Sequence, residues 1–307
     1  GWLKELSPRS ARKAPYSIPP AAMIRACSAV LAAAAAVVAG SCSYLNQSPA
    51  VLWYRASTSA TALYALVTLP QEHVDSFLKS YELFDKEAVD SSGDAENIVN
   101  YYQVINHLCA IGDVEKMYIP PVMNLDNGIY ANQMEWEERG MADKLDVGPG
   151  KKVLDVGCGR GRIAHHVAKY TGAEVTGLNI DPTQLRMARA HAEAEGMLGK
   201  TLNFVRGNYN DPLPFANETF DALYHVQALT YAQDLKALLA EMHRVLKPGA
   251  KISFLDWFKL DKYDAGDKHH QKLLREVKAV IGAVHTPSAE EYDAALRETG
   301  FEVIFSG

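Results

Sequence analysis

The sequence predicts an α/β protein: a Rossmann-like, doubly wound, mostly parallel sheet preceded by N-terminal helices. Three observations carry this. Val153, Leu154 and Val156 form a short apolar run that passes directly into Gly157, Gly159 and Gly161. A second run, Glu174 to Asn179, is followed at once by Asp181-Pro182-Thr183-Gln184, and strand and helix signals then alternate as far as Leu255. Short apolar runs are the mark of strands buried on both faces. Glycines remove side chains where the backbone must turn sharply and where a ligand must approach it.

Each element follows from local chemistry. After the glycine turn, Ile163, Ala164, Val167 and Ala168 fall on one helical stripe. Asp181 is an N-cap, Pro182 suits the first helical position, and Gln184 stands third in the first turn. Leu202 to Val205 reads as a third strand ending at Gly207-Asn208-Tyr209. Pro212 to Phe215 and Thr219 to Tyr224 lead into a fourth, Glu241 to Leu246 closes a helix at Lys247-Pro248-Gly249, and Lys251 to Leu255 is a fifth. Ser288 with Glu291 three residues later is a capping box, and Phe301 to Phe305 reads as the start of a further strand. The alternation is that of βαβ units.

A strand, a glycine turn and a helix N-terminus together form the ligand crevice of a doubly wound sheet. The spacing here is G-x-G-x-G and not G-x-G-x-x-G, which favours a cofactor with no pyrophosphate to cradle; the expected cofactor is S-adenosylmethionine. Asn179, at the end of the second strand, can donate to and accept from ribose hydroxyls without a charge. The adenine is expected beside the end of the third strand.

On these residues the chain resembles the class I S-adenosylmethionine-dependent methyltransferases, and within them most of all the sterol 24-C-methyltransferase branch. The resemblance covers roughly residues 136 to 305. It rests on Lys152 to Gly159, Val175 to Asn179, Pro214-Phe215 with Asn217 to Phe220, Arg244 to Gly249, Asp261 to Asp264 and Gly300 to Ile304. It implies that Asp155, Gly157 and Gly159 shape the methionine end of the cofactor site. Asn179 would meet the ribose, and Asn208 with Tyr209 would flank the adenine; Cys158, Gly161 and Ile180 complete the candidate cofactor set. A full sheet of this class has one more strand than the chain shows, so a fragment is one expectation.

The acceptor side departs from the family. Met117 to Glu137 reads Tyr118-Ile119-Pro120-Pro121 and Gly128-Ile129-Tyr130-Ala131-Asn132 where sterol methyltransferases carry an aromatic, glycine-rich segment. Gln227, Thr230 and Tyr231 stand where an acidic residue and a Cys-His pair are usual. His225, Gln227 and Tyr231 are the candidate catalytic residues, at or beyond the carboxyl end of the fourth strand. Methylation of an alkene leaves a carbocation that aromatic faces stabilise, and Tyr231, Trp257, Tyr263 and Tyr130 are candidates to surround it. The expected activity is methylation of a carbon of a sterol or other isoprenoid lipid. The alternatives are a small-molecule O- or N-methyltransferase of the same fold and an inactive cofactor-binding module.

Composition narrows the partners. A net charge of −6 with no basic stripe argues against nucleic acid and leaves a small-molecule or lipid acceptor. The four cysteines, Cys27, Cys42, Cys109 and Cys158, show no metal or disulfide spacing. His165-His166 and His269-His270 diverge on a helix by roughly 100° and cannot chelate as pairs, so no metal site is expected.

Four segments are expected. Residues 1–45 read as a leader with a candidate start at Met23: Arg25 precedes an alanine-rich run from Ala26 to Gly40 that ends in small residues. This points to an organelle or the endomembrane system, plastid or endoplasmic reticulum. Residues 46–70 are weakly apolar and contain Arg55, which fits an interfacial helix in peripheral membrane contact better than a spanning one. Residues 71–140 form a helical cap, with Val74, Phe77, Leu78, Tyr81, Leu83 and Phe84 on one face, a break at Ser91-Ser92-Gly93 and a second periodic stretch from Ile98 to Ile111. The cap is either a lid or simple packing. Residues 141–307 form the methyltransferase domain.

Overall fold

The computed structural model describes residues 59–86, 88–90, 94–111 and 116–305. The expected leader and the break at Ser91-Ser92-Gly93 lie outside the described residues. The chain divides into two units, Gly1–Ala65 and Leu66–Gly307. Residues 59–67 are helical. Among the described residues no helix is long and apolar enough to cross a membrane.

The second unit opens with helices α1 (Gln71–Ser80) and α2 (Asp94–Ile111). Helix α3 (Ile129–Glu135) runs on through a π-helical turn over Trp136–Ala142. The sheet follows: β1 (Lys152–Val156), α4 (Arg162–Thr171), β2 (Glu174–Asn179), α5 (Pro182–Ala194), β3 (Leu202–Arg206), β4 (Phe220–Val226), α6 (Leu235–Val245) and β5 (Leu246–Leu255). Helices α7 (Lys268–Ile281) and α8 (Ala289–Glu298) close the described chain. The strand order is β3-β2-β1-β4-β5 and every pairing is parallel. The order reverses beside β1, and there the crevice opens.

Because successive side chains of a strand face opposite sides, β1 feeds two cores. Val153 joins Val167 and Ala168 of α4 and Leu185, Ala188 and Ala192 of α5 on one face. Leu154 and Val156 join Leu238, Leu239 and Met242 of α6 and Tyr292 and Leu296 of α8 on the other. Each fully buried leucine here contributes roughly 1.5–3 kcal/mol by area. A third cluster ties Leu83, Phe84, Ile98 and Tyr101 to Tyr231 and Val284, so the N-terminal helices are packed onto the end of the sheet.

The helix starts take the expected form. Asp181 accepts from the backbone of Thr183 at 2.7 Å, and Ser288 and Glu291 exchange both bonds of a capping box. Two expectations fail. Lys247-Pro248-Gly249 is part of β5 and not a loop: Leu246 pairs with Phe220, the ladder shifts, and pairing resumes at Lys251 opposite Ala222. Strand β5 lies at the sheet edge, so the missing N–H of Pro248 costs no obligatory ladder bond. Residues 301–305 form no strand: Phe301 and Val303 pack on the second core, while Ile304 and Phe305 are exposed. An extended segment becomes a strand only by finding a ladder, and this one finds none.

At the amino ends of the strands, Asp221 accepts from the backbone N–H of Lys152 at 2.9 Å and pairs with Lys151 at 3.3 Å and Lys247 at 2.9 Å. Although burial opposes ionisation, these donors hold its carboxyl down at about 2. A depressed carboxylate stabilises above its unfolded pKa, and that contribution is lost as pH falls through the folded one. Asp221→Asn is therefore expected to cost about 1–2 kcal/mol at pH 7. In urea titrations the gap to the parent protein should close between pH 4 and pH 2.

Candidate functional site

The glycine turn is pinned to the neighbouring strand. The N–H groups of Gly157 and Cys158 both donate to the Leu178 carbonyl, at 2.9 and 3.1 Å. Gly157 has φ +78, and a Cβ there would lie 2.5 Å from the Ala228 Cβ. Gly159 also has positive φ, but the space beside it is open into the crevice, with Gln184 the nearest neighbour at 3.9 Å. Gly161 serves packing, since a Cβ would strike Phe204 and Ala188 at under 3 Å. The Cys158 side chain packs against the bare Cα of Gly177, and burial pushes its thiol well up, so it is not a nucleophile.

Gly157 and Gly159 line the floor of a crevice that is open to solvent. Asn179, Ile180, Asp181 and Gln184 form one wall; Asn208, Tyr209 and Asn210 continue it; Val226, Gln227, Ala228 and Tyr231 face them. Ile98 and Tyr102 of α2 and the segment Lys116-Met117-Tyr118 complete the lining. Of the cofactor residues expected from sequence, Gly157, Cys158, Gly159, Asn179, Ile180, Asn208 and Tyr209 line this crevice together. Gly161 and Asp155 lie behind the lining. Asp155 is buried beneath the turn, accepts from the Tyr224 hydroxyl at 3.0 Å, and is raised to about 7 by burial.

The walls are braced by buried amides. Asn179 Nδ2 donates to Gln184 Oε1 at 2.8 Å, Gln184 Nε2 to Asn106 Oδ1 at 3.0 Å, and Asn106 Nδ2 to Asp181 Oδ2 at 3.2 Å. This relay joins α2 to the end of β2. Tyr209 donates to the Ala228 carbonyl at 2.7 Å and Tyr231 to the Gly282 carbonyl at 2.5 Å. Their hydroxyls are committed to backbone acceptors. Burial raises both phenols far above their ordinary value, and neither is a base near neutrality.

The cap is joined to the sheet by a buried carboxylate. Glu137, in the π-helical turn, pairs with Lys116 at 2.5 Å, accepts from the Tyr118 hydroxyl at 2.7 Å and meets His166 Nδ1 at 2.6 Å. His166 Nε2 reaches Glu138 at 3.0 Å. An unpaired buried carboxylate would cost several kcal/mol; this one has three partners, two from the segment 116–118 and one from α4.

The candidate catalytic residues divide. Tyr231 lines the crevice. Gln227 does too, but its carboxamide is engaged: Nε2 donates to the Ile119 carbonyl at 2.9 Å, and Oε1 accepts from the Ile119 N–H at 3.2 Å. Gln227 holds φ +48, an uncommon conformation for a side-chain-bearing residue, and from it latches the cover segment to the end of β4. His225 is not a crevice residue. It points into the second core, stacks on Phe254 with centroids 4.9 Å apart, and meets the Tyr292 hydroxyl at 3.0 Å; burial lowers its pKa to about 3, keeping it neutral. Trp257 and Tyr263 do not line the crevice either, and Tyr130 is exposed, with Lys116 5.7 Å from its ring centre. Among the described residues no cluster of side chains suits a metal ion.

Sequence reasoning missed Tyr102, Asn106, Lys116, Arg160, Arg162 and Gln184. Only the two arginines carried a local signal, since charge inside a glycine turn is unusual; the others come to the site through tertiary packing.

The residues present fit S-adenosylmethionine: a bare Gly159 facing open space, a buried amide at the ribose position, and an aromatic ring beside the end of β3. Residues 154–254 match the family model described as a methyltransferase domain. The chain thus carries a methyltransferase domain of the S-adenosylmethionine-dependent kind. It is 33% identical over 202 residues to the methyltransferase phqN of Penicillium fellutanum, covering 66% of this chain and 57% of the relative. To a sterol 24-C-methyltransferase of Gibberella zeae it is 36% identical, over 54% of this chain and 43% of the relative. To cycloartenol-C-24-methyltransferase 1 of Oryza sativa subsp. japonica it is 29% identical, over 77% and 69%. The chain thus spans about half the length of the first curated relatives it matches. A crystal structure of the cyclase SpnF superposes with a TM-score of 0.59 at 20% identity, over 72% of this chain and 76% of that one, a likeness of fold.

Removing the latch should loosen the cover. Gln227→Ala is expected to leave the melting temperature within a few degrees of the parent and to weaken S-adenosylhomocysteine binding about fivefold to tenfold, mainly through faster release. Stopped-flow displacement measures both rates.

Proposed function

We propose that this chain transfers a methyl group from S-adenosylmethionine to a carbon of a sterol or other isoprenoid lipid. The likeness to sterol C-methyltransferases carries the reading, and residues 141–307 with the cap at 71–140 are the parts assigned to it. The cofactor supplies an electrophilic methyl group. The tasks left to the protein are to hold donor and acceptor in line and to exclude water. The floor and the amide-braced wall suit the first task, and the latched segment over the crevice suits the second. Tyr102, Tyr209 and Tyr231 line the crevice with phenols that burial raises, so they serve neither as acid nor as base, which favours a reaction that builds positive charge on carbon over one that needs a base to activate a hydroxyl.

The segment that follows the crevice-lining Tyr118 supports an apolar acceptor delivered from a lipid surface. Ile119, Val122, Leu125, Ile129 and Tyr130 are exposed, Leu125 at 92%. They stand on a built loop. The buried Asn132 accepts from the N–H groups of Met123 and Asn124 and donates to the carbonyls of Asn127 and Gly128, using its whole carboxamide. A braced loop that holds large apolar side chains in water fits partial burial among acyl chains. An endomembrane location accords with such an acceptor. The second reading, a small-molecule O- or N-methyltransferase, rests on Gln227 and Tyr231 standing where the resembled family has an acidic residue and a Cys-His pair.

Two experiments test the reading. Incubation with methyl-labelled S-adenosylmethionine and a total lipid extract should place label in the nonpolar, unsaponifiable fraction; label confined to polar products would support the second reading. Replacing both Val122 and Leu125 by Asp should reduce association with neutral phosphatidylcholine vesicles by at least about tenfold, given roughly 1.5–3 kcal/mol per buried aliphatic side chain. Cofactor affinity should not change.

A further inference from the structure

The glycine turn carries two positive charges, Arg160 and Arg162, and both line the crevice. Arg160 is buried. Arg162 opens α4, and its Nε and Nη1 are shielded from solvent without a hydrogen-bond acceptor among the described residues. A guanidinium does not deprotonate, and leaving its buried N–H groups unmatched is costly, so the arrangement calls for an anion. Glu137 and Asp155, the buried carboxylates of this end of the sheet, do not supply one. Glu137 is committed to Lys116, Tyr118 and His166, and Asp155 lies behind the turn against Tyr224.

We infer that Arg162 binds the carboxylate at the amino-acid end of the cofactor, with the charge of Arg160 beside it, and so selects for a ligand that carries that group. The inference rests on the reading of the crevice as an S-adenosylmethionine site. The chemistry is that of a guanidinium fork on a carboxylate, in which two parallel N–H donors meet two oxygens. A diphosphate on the acceptor offers similar chemistry from the other ligand, and the test separates the two.

Binding of S-adenosylmethionine and of its decarboxylated analogue, which keeps the sulfonium and the amine, is measured by calorimetry on the full chain and on its Arg162→Gln and Arg162→Lys variants. The parent protein should prefer S-adenosylmethionine by about tenfold or more, the strength of a charge-assisted pair. Arg162→Gln should bring that ratio close to one with the affinity for the analogue unchanged, and Arg162→Lys should keep part of it. Unchanged thermal melting shows that each variant is folded. A ratio near one in the parent protein, or equal weakening of both ligands in Arg162→Gln, overturns the inference. So does an unchanged ratio accompanied by loss of inorganic pyrophosphate binding, which assigns the charge to the acceptor. Failure of the folded parent protein to bind either ligand rejects the cofactor reading itself.

Discussion

The turn between β1 and α4 admits a hydrogen at Gly157 and nothing larger, because Ala228 closes on it from β4's side. On its other side the turn is pinned to β2, where the backbone N–H groups of Gly157 and Cys158 both donate to the Leu178 carbonyl. The consequence is a bare stretch of main chain at the carboxyl edge of the sheet, next to the point where strand order reverses. Everything else in the site is placed relative to it: Asn179 by the register of β2, the tyrosines by the ends of β3 and β4, and the two arginines by the path of the turn itself.

A bare turn is only a floor, and the cover is attached by polar groups at three points. Gln227 holds Ile119 by its backbone, Glu137 joins the cap to α4 through His166, and the relay of Asn106, Gln184 and Asn179 joins α2 to β2. Each replaces solvent hydrogen bonds with protein ones, for a net gain of only about 1 kcal/mol apiece.

The legible parts of the sequence were those set by local pattern. Strands β1, β2 and β3 could be read because each is a short apolar run buried on both faces, and the helix starts because Asp181 and Ser288 satisfy neighbouring N–H groups. Lys247-Pro248-Gly249 misled because proline and glycine commonly close a helix, whereas the helix ends at Val245 and Pro248 sits on an edge strand, where its missing donor carries no penalty. Phe301 to Phe305 has the composition of a strand but no ladder to join. His225 looked like a crevice residue because it stands at the end of β4; strand alternation turns its side chain to the opposite face, with Gln227 left to bend back by its unusual φ. Lys116, Tyr102 and Asn106 reach the site only after the cap has folded over the sheet, and no spacing along the chain encodes that.

The account turns on a cofactor held between the glycine turn and the cap. Hydrogen–deuterium exchange of the full chain, with and without saturating S-adenosylhomocysteine, addresses that claim most directly. Slower exchange is predicted in residues 116–120, 157–163, 179–184 and 208–210, with the amino ends of the strands around Asp221 unchanged. Protection restricted to the turn while 116–120 exchanges as before would contradict the cap's part in the site, and no protection at either place would contradict the site altogether.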